Sequence, residues 1–193
     1  MSKVINKKAI IGALIKNSKN TKSSRSLFAK LRFFIWINFI VKKATHKRCL
    51  RQANRILKIL NQDEFKKYPG KLFAYLREID PFAFEELLLL SFKSRGFKVK
   101  HNLAYTGDGG ADGQVIFPDG SRWLIQAKRY ENHINPQHVK SLSNLVCRLR
   151  ADGGIFIHTG KTGESAYQHL GDNVVLLSGG NLHAFIAYAL GVH

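Results

Sequence analysis

The stretch from Asp112 to Lys128 constrains the fold of this chain most, because it predicts two short strands joined by a tight turn. The turn is Pro-Asp-Gly-Ser at residues 118–121, a sequence typical of a reversal of the chain. Side chains two residues apart on a strand share a face, so Gln126 and Lys128 point the same way. If the strands pair as a hairpin, Asp112 at the start of one lies near Lys128 at the end of the other. An acid and a lysine so placed can hold a divalent cation and a phosphate together.

Elements on both sides of this hairpin predict an α/β fold. Asp80 is a suitable N-cap for a helix, and Pro81 is a suitable first helical residue. Apolar periodicity and turn residues predict further helices at 72–79, 81–95, 136–150, 162–170 and 181–190, and further strands at 97–100, 155–157 and 174–177. This order of elements predicts an α/β sandwich around a small central mixed sheet.

The positive charge is concentrated at the start of the chain. Of a net charge of +18, residues 1–70 hold 18 Lys and Arg against 2 Asp and Glu, a net of +16. Residues 71–193 hold 13 against 11, a net of +2. We therefore predict a basic, mostly helical N-terminal region at 1–70, with two helices between residues 27 and 60, and a separate domain at 71–193. The charge indicates a polyanionic partner: nucleic acid first, an anionic membrane surface second.

Cysteine use and hydropathy bear on the compartment. Cys49 and Cys147 are far apart and match no metal-site spacing, so a disulfide framework is not expected and a reducing compartment fits best. The most apolar window, Phe33 to Val41, is too short to span a bilayer, which needs about 20 apolar residues. We predict a cytoplasmic location, and we do not expect a membrane partner.

Ordered motifs run from residue 80 to about residue 166. They are Phe-Glu-Glu-Leu at 84–87, Gly-Phe at 96–97, Gly-Asp-Gly-Gly-Ala-Asp-Gly at 107–113, Gln-Ala-Lys-Arg-Tyr at 126–130, and Gly-Ile-Phe-Ile-His-Thr-Gly at 154–160. In this order and spacing, they resemble the Mrr-type restriction endonucleases, within the larger group of nucleases that share a PD-(D/E)xK core. The resemblance implies a restriction-endonuclease-like α/β sandwich that hydrolyses DNA phosphodiester bonds with a divalent metal. It does not extend to the first 70 residues.

The resemblance assigns a role to four residues. Asp112 takes the position of the metal-binding acid, and Lys128 that of the lysine that stabilises charge or helps to activate water. Gln126 stands where many relatives have Glu or Asp, and its amide oxygen can still ligate a metal or orient water. Glu85, on the helix before the sheet, takes the position of the family's additional acid. We expect Mg²⁺ at Asp112, Gln126 and Glu85, with Mn²⁺ as a substitute, and no small-molecule cofactor.

The residues leave other interpretations open. Asp112 has the neighbours of an ordinary turn aspartate, and either Glu85 or its neighbour Glu86 could be the functional acid while the other faces solvent. Arg129 and Tyr130 either touch DNA or serve the protein's own packing and solvation. Lys161 is a further DNA-contact candidate. His158 either lines the site or is a surface histidine.

The sequence thus predicts a DNA endonuclease with a role in restriction, defence or mobile-DNA processing. Its expected substrate is double-stranded DNA, with modified DNA a candidate that no recognisable base pocket supports. The basic N-terminal region would tether DNA, and cutting both strands makes a homodimer plausible. A non-catalytic DNA-binding protein on a nuclease-like scaffold is the first alternative. A peripheral membrane protein that binds through residues 27–43 is the second.

Overall fold

The computed structural model of the chain describes residues 44–60, 62–101, 110–168, 170–171 and 173–187. The chain divides into two compact units, Met1–Val41 and Lys42–His193, and every described residue belongs to the second. The predicted helices before residue 44, the membrane-surface alternative at 27–43 and the glycine-rich loop up to residue 109 lie outside the described residues. Every helix within the described ranges is too short or too polar to cross a membrane.

Seven helices and five strands are described, and they follow one another along the chain. They are α1 (44–60), α2 (Asp63–Lys67), α3 (Pro69–Glu78), α4 (Pro81–Ser94), β1 (Lys98–His101), β2 (Gly113–Ile116), β3 (Arg122–Lys128), α5 (Pro136–Leu149), β4 (Gly153–His158), α6 (Glu164–Tyr167), β5 (Val174–Leu177) and α7 (Gly179–Ala187).

The strands form one mixed sheet in the order β1-β2-β3-β4-β5. The first three strands pair antiparallel, whereas β3, β4 and β5 pair parallel. In the β2–β3 hairpin Gly113 lies opposite Ile125, and in the parallel pair Lys128 lies opposite His158. The predicted small mixed sheet is confirmed. The carboxyl end of β3 thus lies in the middle of the sheet, beside the start of β2.

Helices cover both faces of the sheet, which confirms the predicted α/β sandwich. One face of β3 carries Ile125 and Ala127 into a core with α1, α3, α4 and α7. The other face carries Leu124 into a second core, which α5 contributes to and which includes Phe156 of β4. Alternate residues of a strand point to opposite faces, so β3, β4 and β5 contribute to both cores, whereas Val99 of β1 and Val115 of β2 belong to the first.

Local signals that were visible in the sequence shape two of these elements. The carboxylate of Asp80 accepts hydrogen bonds from the backbone N–H groups of Phe82 (2.9 Å) and Ala83 (3.1 Å), so it caps α4 as predicted. The predicted turn joins β2 to β3, and Gly120 takes a φ of 87°, which glycine adopts without strain. The carboxylate of Asp119 accepts the N–H of Ser121 at 2.9 Å and holds that turn.

Helix α1 packs inside the unit that contains the sheet. Its buried side chains, Ala53, Ile56, Leu57 and Leu60, belong to the same core as α3 and α4. Pro69 is the first residue of α3, a position that proline favours because its missing N–H has no helical partner there. The compact unit begins at Lys42, and the predicted boundary at residue 70 falls inside α3, a helix that shares one core with α1.

Candidate active site

Asp112 is held against β3 at the start of the hairpin. Its backbone N–H donates to the carbonyl of Ile125 at 2.8 Å, and its carboxylate accepts the N–H of Ala127 at 2.6 Å. These two bonds fix the acid beside the residues that precede Lys128. The sequence expectation that Asp112 lies near the end of β3 is therefore confirmed by the geometry.

Glycine at position 113 allows α4 to approach the hairpin closely. A Cβ atom there would lie 2.7 Å and 2.9 Å from the two Cδ atoms of Leu89 and 3.1 Å from the carbonyl of Lys100. Leu89 is itself buried in α4. The helix that carries Glu85 is consequently packed directly on the strand that follows Asp112.

Glu85, Asp112 and Lys128 lie within electrostatic reach of one another. Burial, together with the negative charge of Asp112, raises the pKa of Glu85 to about 8, whereas the charge of Lys128 opposes the shift. Burial also raises the pKa of Asp112 to about 6, against the hydrogen bond from Ala127 and the charge of Lys128. Ionising two half-buried carboxyl groups beside a single lysine costs free energy. A divalent cation bound between them would remove this cost, because it compensates the second negative charge.

Gln126 is almost completely buried, with 3% of its surface exposed. Within the described part of the chain, its Oε1 atom has no hydrogen-bond partner. A buried amide oxygen without a partner costs free energy, roughly 1–3 kcal/mol, and calls for an explanation such as a bound ion or water. Gln126 shares its strand face with Lys128, as predicted from their spacing.

A polar cluster lies near Lys128 at the carboxyl ends of β3 and β4. The phenol of Tyr130 bonds to Nδ1 of His138, and the Tyr130 ring lies 6.4 Å from the buried ring of His158. Burial, together with the charge of Lys128, lowers the pKa of His138. Burial lowers the pKa of His158 to about 4, so its imidazole is neutral at pH 7. Thr162 lies 3.2 Å from Nε2 of His158.

The two arginines near the site bond to backbone carbonyls. Arg129 donates to the carbonyls of Arg77 (2.8 Å) and Ile79 at the end of α3, where cations are favoured. Arg77 donates in turn to the carbonyls of Tyr130 (3.0 Å) and Thr159 (2.8 Å), at the ends of β3 and β4. The guanidinium of Arg129 is therefore bonded within the protein, whereas the sequence had offered solvation as the alternative to DNA contact for this residue.

Tyr130 and Lys161, the other predicted DNA contacts, differ in exposure. Tyr130 is half-buried, and its hydroxyl bonds to His138. The hydroxyl of Thr159 accepts from the backbone N–H of Tyr130 and donates to the backbone carbonyl of Tyr130, both at 2.9 Å. Lys161 is exposed, and its backbone N–H donates to Asn132 at 3.0 Å. Its side chain is on the surface, while the backbone amide is engaged within the protein.

One expectation about exposure was wrong, and one open alternative is excluded. Glu86 does not face solvent: it is 2% exposed and contacts His46 and His101. His158 is fully buried, so the alternative of a surface histidine is excluded. Sequence reasoning failed here because both environments depend on residues distant in the chain.

Sequence reasoning also missed His138 and Arg77. His138 lacks any neighbour at metal-ligand spacing, and its partner Tyr130 belongs to another element. Arg77 lies at the end of a helix, where a basic residue is common, and its contacts with β3 and β4 leave no sequence pattern. Only the positive charge of Arg77 near the helix end was a usable signal.

Residues beside the start of β2 and the end of β3, together with Glu85 of α4, fit a hard divalent cation. Two carboxylates, Asp112 and Glu85, and the amide oxygen of Gln126 provide oxygen donors, which Mg²⁺ prefers. Mg²⁺ is commonly held by one or two carboxylates and keeps several waters. The unsatisfied Oε1 of Gln126 is the observation in this structure that fits such an ion best.

A mixed sheet between helices, with an acid and a lysine at the ends of two neighbouring strands, defines the restriction-endonuclease-like class of fold. The restriction endonuclease family Mrr_cat matches residues 76–186, more than half of the chain, and the chain belongs to this family. The predicted family is confirmed, and with it a nuclease-type domain. This nuclease family typically uses divalent metals.

Two solved structures are similar to the chain. The first is the MspJI restriction endonuclease in complex with a 27-mer oligonucleotide, with 26% identity and a TM-score of 0.37 over 68% of this chain and 32% of that one. The second is the DNA modification-dependent restriction endonuclease AspBHI, with 16% identity and a TM-score of 0.35 over 74% of this chain and 36% of that one. The chain thus spans about a third of each. No curated protein matches the sequence.

Proposed function

We propose that this protein is a DNA endonuclease that hydrolyses phosphodiester bonds with Mg²⁺ or Mn²⁺. One observation carries the proposal: two acids with raised pKa values share one site with Lys128, beside the buried and unsatisfied Oε1 of Gln126. Perturbed acids in such a cluster are typical of functional sites. Membership of a restriction endonuclease family supports the same reaction class.

The metal would be held by Asp112 and Glu85, with Gln126 as a neutral third donor. When bound, a divalent cation lowers the pKa of coordinated water and offsets the charge that develops on the phosphate. Lys128 places a positive charge beside the same phosphate oxygens. The hydrogen bond from Ala127 fixes the orientation of the Asp112 carboxylate before any ligand arrives.

DNA would approach from the side on which a cleft of about 300 Å³ borders Ala111, next to Asp112. Exposed Lys100 of β1 and exposed Arg148 of α5 both line this cleft. Two cations on different elements could hold a phosphate backbone without reading sequence. Neither residue carried a motif, so the sequence offered no reason to select them.

The outer side of α1 supplies a second basic surface. It carries five exposed cations, Lys47, Arg48, Arg51, Arg55 and Lys58, and α1 contains no acidic residue. Such a surface would provide salt-sensitive, sequence-independent affinity for DNA. As part of the proposal, the substrate is double-stranded and the location cytoplasmic. Four further points stay predictions: modified substrate DNA, a restriction or defence role, a DNA tether in residues 1–70, and a homodimer.

The proposal is tested by incubating the full chain with supercoiled plasmid and with Mg²⁺, Mn²⁺ or excess EDTA. We expect nicked and linear products with either metal and intact plasmid with EDTA. Lys128→Ala should slow cleavage by about 100-fold or more, because a preorganised charge at the reacting phosphate is lost. Lys93→Ala, at an exposed lysine of α4, is a control for general loss of surface charge, and it should retain most of the activity.

The runner-up, a non-catalytic DNA-binding protein, predicts a different outcome. The neutral Gln126 in place of an acid is the observation that favours it. If the wild type binds plasmid yet leaves it intact with every metal, and also leaves methylated and hydroxymethylated plasmid intact, the endonuclease proposal fails.

A further inference from the structure

Three metal-ligating side chains converge at a place that the nuclease site does not use. His46 of α1, Glu86 of α4 and His101 at the end of β1 each offer one ligand atom, and these atoms lie within 4.8 Å of one another. Nδ1 of His46 lies 2.9 Å from one carboxylate oxygen of Glu86, and Nδ1 of His101 lies 2.8 Å from the other. The three residues come from separate elements, so no sequence motif joins them.

Burial makes this cluster different from a surface ion pair. Glu86 is 2% exposed, and the side chains of His46 and His101 are 19% and 23% exposed. A carboxylate removed from water costs several kcal/mol unless cations or strong donors compensate it. Both described ion-pair contacts of Glu86 go to imidazole rings, whose nitrogen atoms can either donate a proton or bind a metal.

The geometry of His101 favours the metal-binding role. Among the described residues its Nδ1 has no hydrogen-bond partner, although it lies 2.8 Å from Glu86. The rings of His46 and His101 have centroids 5.1 Å apart and meet edge to face, so they do not stack on one another. Nδ1 of each ring instead lies close to the same carboxylate.

The donor set selects a type of ion. Two imidazole nitrogens and one carboxylate oxygen suit Zn²⁺ and similar first-row transition ions, whereas Mg²⁺ prefers oxygen donors alone. Ligand atoms of tetrahedral Zn²⁺ at about 2.0–2.1 Å from the ion lie roughly 3.3 Å apart. The observed N–O distances of 2.8 Å and 2.9 Å therefore have to increase by about half an ångström before the ion fits between these atoms.

We propose that His46, Glu86 and His101 form a second metal site, which binds Zn²⁺ or a similar transition ion and joins α1 and β1 to α4. The ion neutralises the buried carboxylate and fastens α1 to the sheet. The site uses none of the four candidate catalytic residues, so it does not depend on the proposed nuclease activity. A metal-free His–Glu–His cluster held by internal contacts is the competing outcome.

The test uses the full chain with Asp112→Asn, which removes one acid from the proposed Mg²⁺ site. Zn²⁺ is titrated calorimetrically into EDTA-treated, dialysed protein in excess Mg²⁺. We expect one Zn²⁺ per chain and a rise in Tm. His101→Gln and Glu86→Gln should each weaken Zn²⁺ binding at least about tenfold, whereas His133→Gln, at an exposed histidine, should not.

The absorption spectrum of bound Co²⁺ reports the coordination of the site without any substitution at His46, Glu86 or His101. Added to the Asp112→Asn protein, it should give visible absorption of a nitrogen-ligated site of low coordination number, and one equivalent of Zn²⁺ should abolish this absorption. The proposal is overturned if Zn²⁺ does not bind in excess Mg²⁺. It is equally overturned if a folded His101→Gln binds Zn²⁺ as tightly as His133→Gln does, or if Co²⁺ gives only the weak spectrum of an octahedral aqua ion.

Discussion

Asp112 and Glu85 are acids whose environment resists ionisation. Their pKa values rise from 3.8 to about 6 and from 4.5 to about 8, with burial as the main cause in both. Across this interval the folded protein binds more protons than the unfolded chain, so stability falls as pH rises. The loss begins near pH 4 and is complete above about pH 8. A bound divalent cation would reverse it.

Asp112→Asn should therefore stabilise the metal-free protein. At pH 8 we expect a gain on the order of 1–2 kcal/mol, with little difference at pH 4, because asparagine retains the acceptor for Ala127 without the buried charge. Chemical denaturation in EDTA at several pH values measures it. Asp119→Asn is the matched control: hydrogen bonds from Ser121 lower the pKa of Asp119, so its removal should not stabilise the protein at pH 8. A gain at Asp119 equal to that at Asp112 would contradict this account.

Gln126 determines the charge of the proposed metal site. Gln126→Glu should tighten Mn²⁺ binding, by about tenfold, because it adds a carboxylate where a neutral amide oxygen now lies buried. The same change should destabilise the metal-free protein, since a third acid would join Asp112 and Glu85. Mn²⁺ affinity from electron paramagnetic resonance, beside Gln114→Glu as a control on β2, measures the effect. Unchanged Mn²⁺ affinity would show that residue 126 does not reach the ion.

At the scale of elements, the contact between α4 and β2 positions Glu85 beside Asp112. Gly113→Ala should destabilise the protein by about 1–3 kcal/mol and weaken metal binding, because the new methyl group would overlap the buried Leu89. Gly70→Ala, in α3, has open space around it and should be neutral or slightly stabilising. Thermal unfolding and Mn²⁺ titration of both variants check this. Equal stability of the two would contradict the role given to the close approach.

The sequence predicted these elements well wherever the signal was local. Strand β5 has the predicted bounds, 174–177, because it is a short apolar run between turn residues. β4 begins earlier than predicted, at Gly153, which the sequence suggested was a helix end. Both glycines there belong to the strand, because the ring of Trp123 packs on Gly153 and Leu142 packs on Gly154. Such contacts come from distant residues and leave no local pattern.

The candidate site was also predictable in part. Asp112 and Lys128 follow from the hairpin and its spacing, and their proximity is visible in the structure. The histidine cluster around Glu86 could not be foreseen, since His46 is 40 residues before it and His101 is 15 residues after it. The roles of the four predicted site residues stay predictions until they are measured.

At the scale of the molecule, the charge asymmetry and the fold have different boundaries. Residues 1–41 hold 9 Lys and Arg and no acid, while residues 42–70 hold 9 against 2. Half of the Lys and Arg residues of the basic N-terminal region therefore belong to the compact unit that begins at Lys42. Within the compact unit, the cations of α1 lie on its exposed side, whereas its inner face is part of the core.

A chain that starts at residue 42 should fold, whereas one that starts at residue 71 should not be stable. Removal of α1 uncovers the core and deletes the buried Ile56, Leu57 and Leu60. Their burial contributes roughly 5 kcal/mol, comparable with the whole stability of many domains. Circular dichroism and thermal unfolding of the two shortened chains compare them directly. A cooperative unfolding transition in the chain from residue 71, at the Tm of the longer chain, would contradict this packing.

The most direct test of the account is the rate of DNA cleavage by Asp112→Asn, measured together with its DNA affinity. We predict that DNA binding stays within about twofold of wild type while cleavage with Mg²⁺ or Mn²⁺ falls by about 100-fold or more. The basic surfaces that would bind DNA are unchanged in this variant, but one ligand of the metal is lost. Cleavage by Asp112→Asn at the wild-type rate would contradict the central claim.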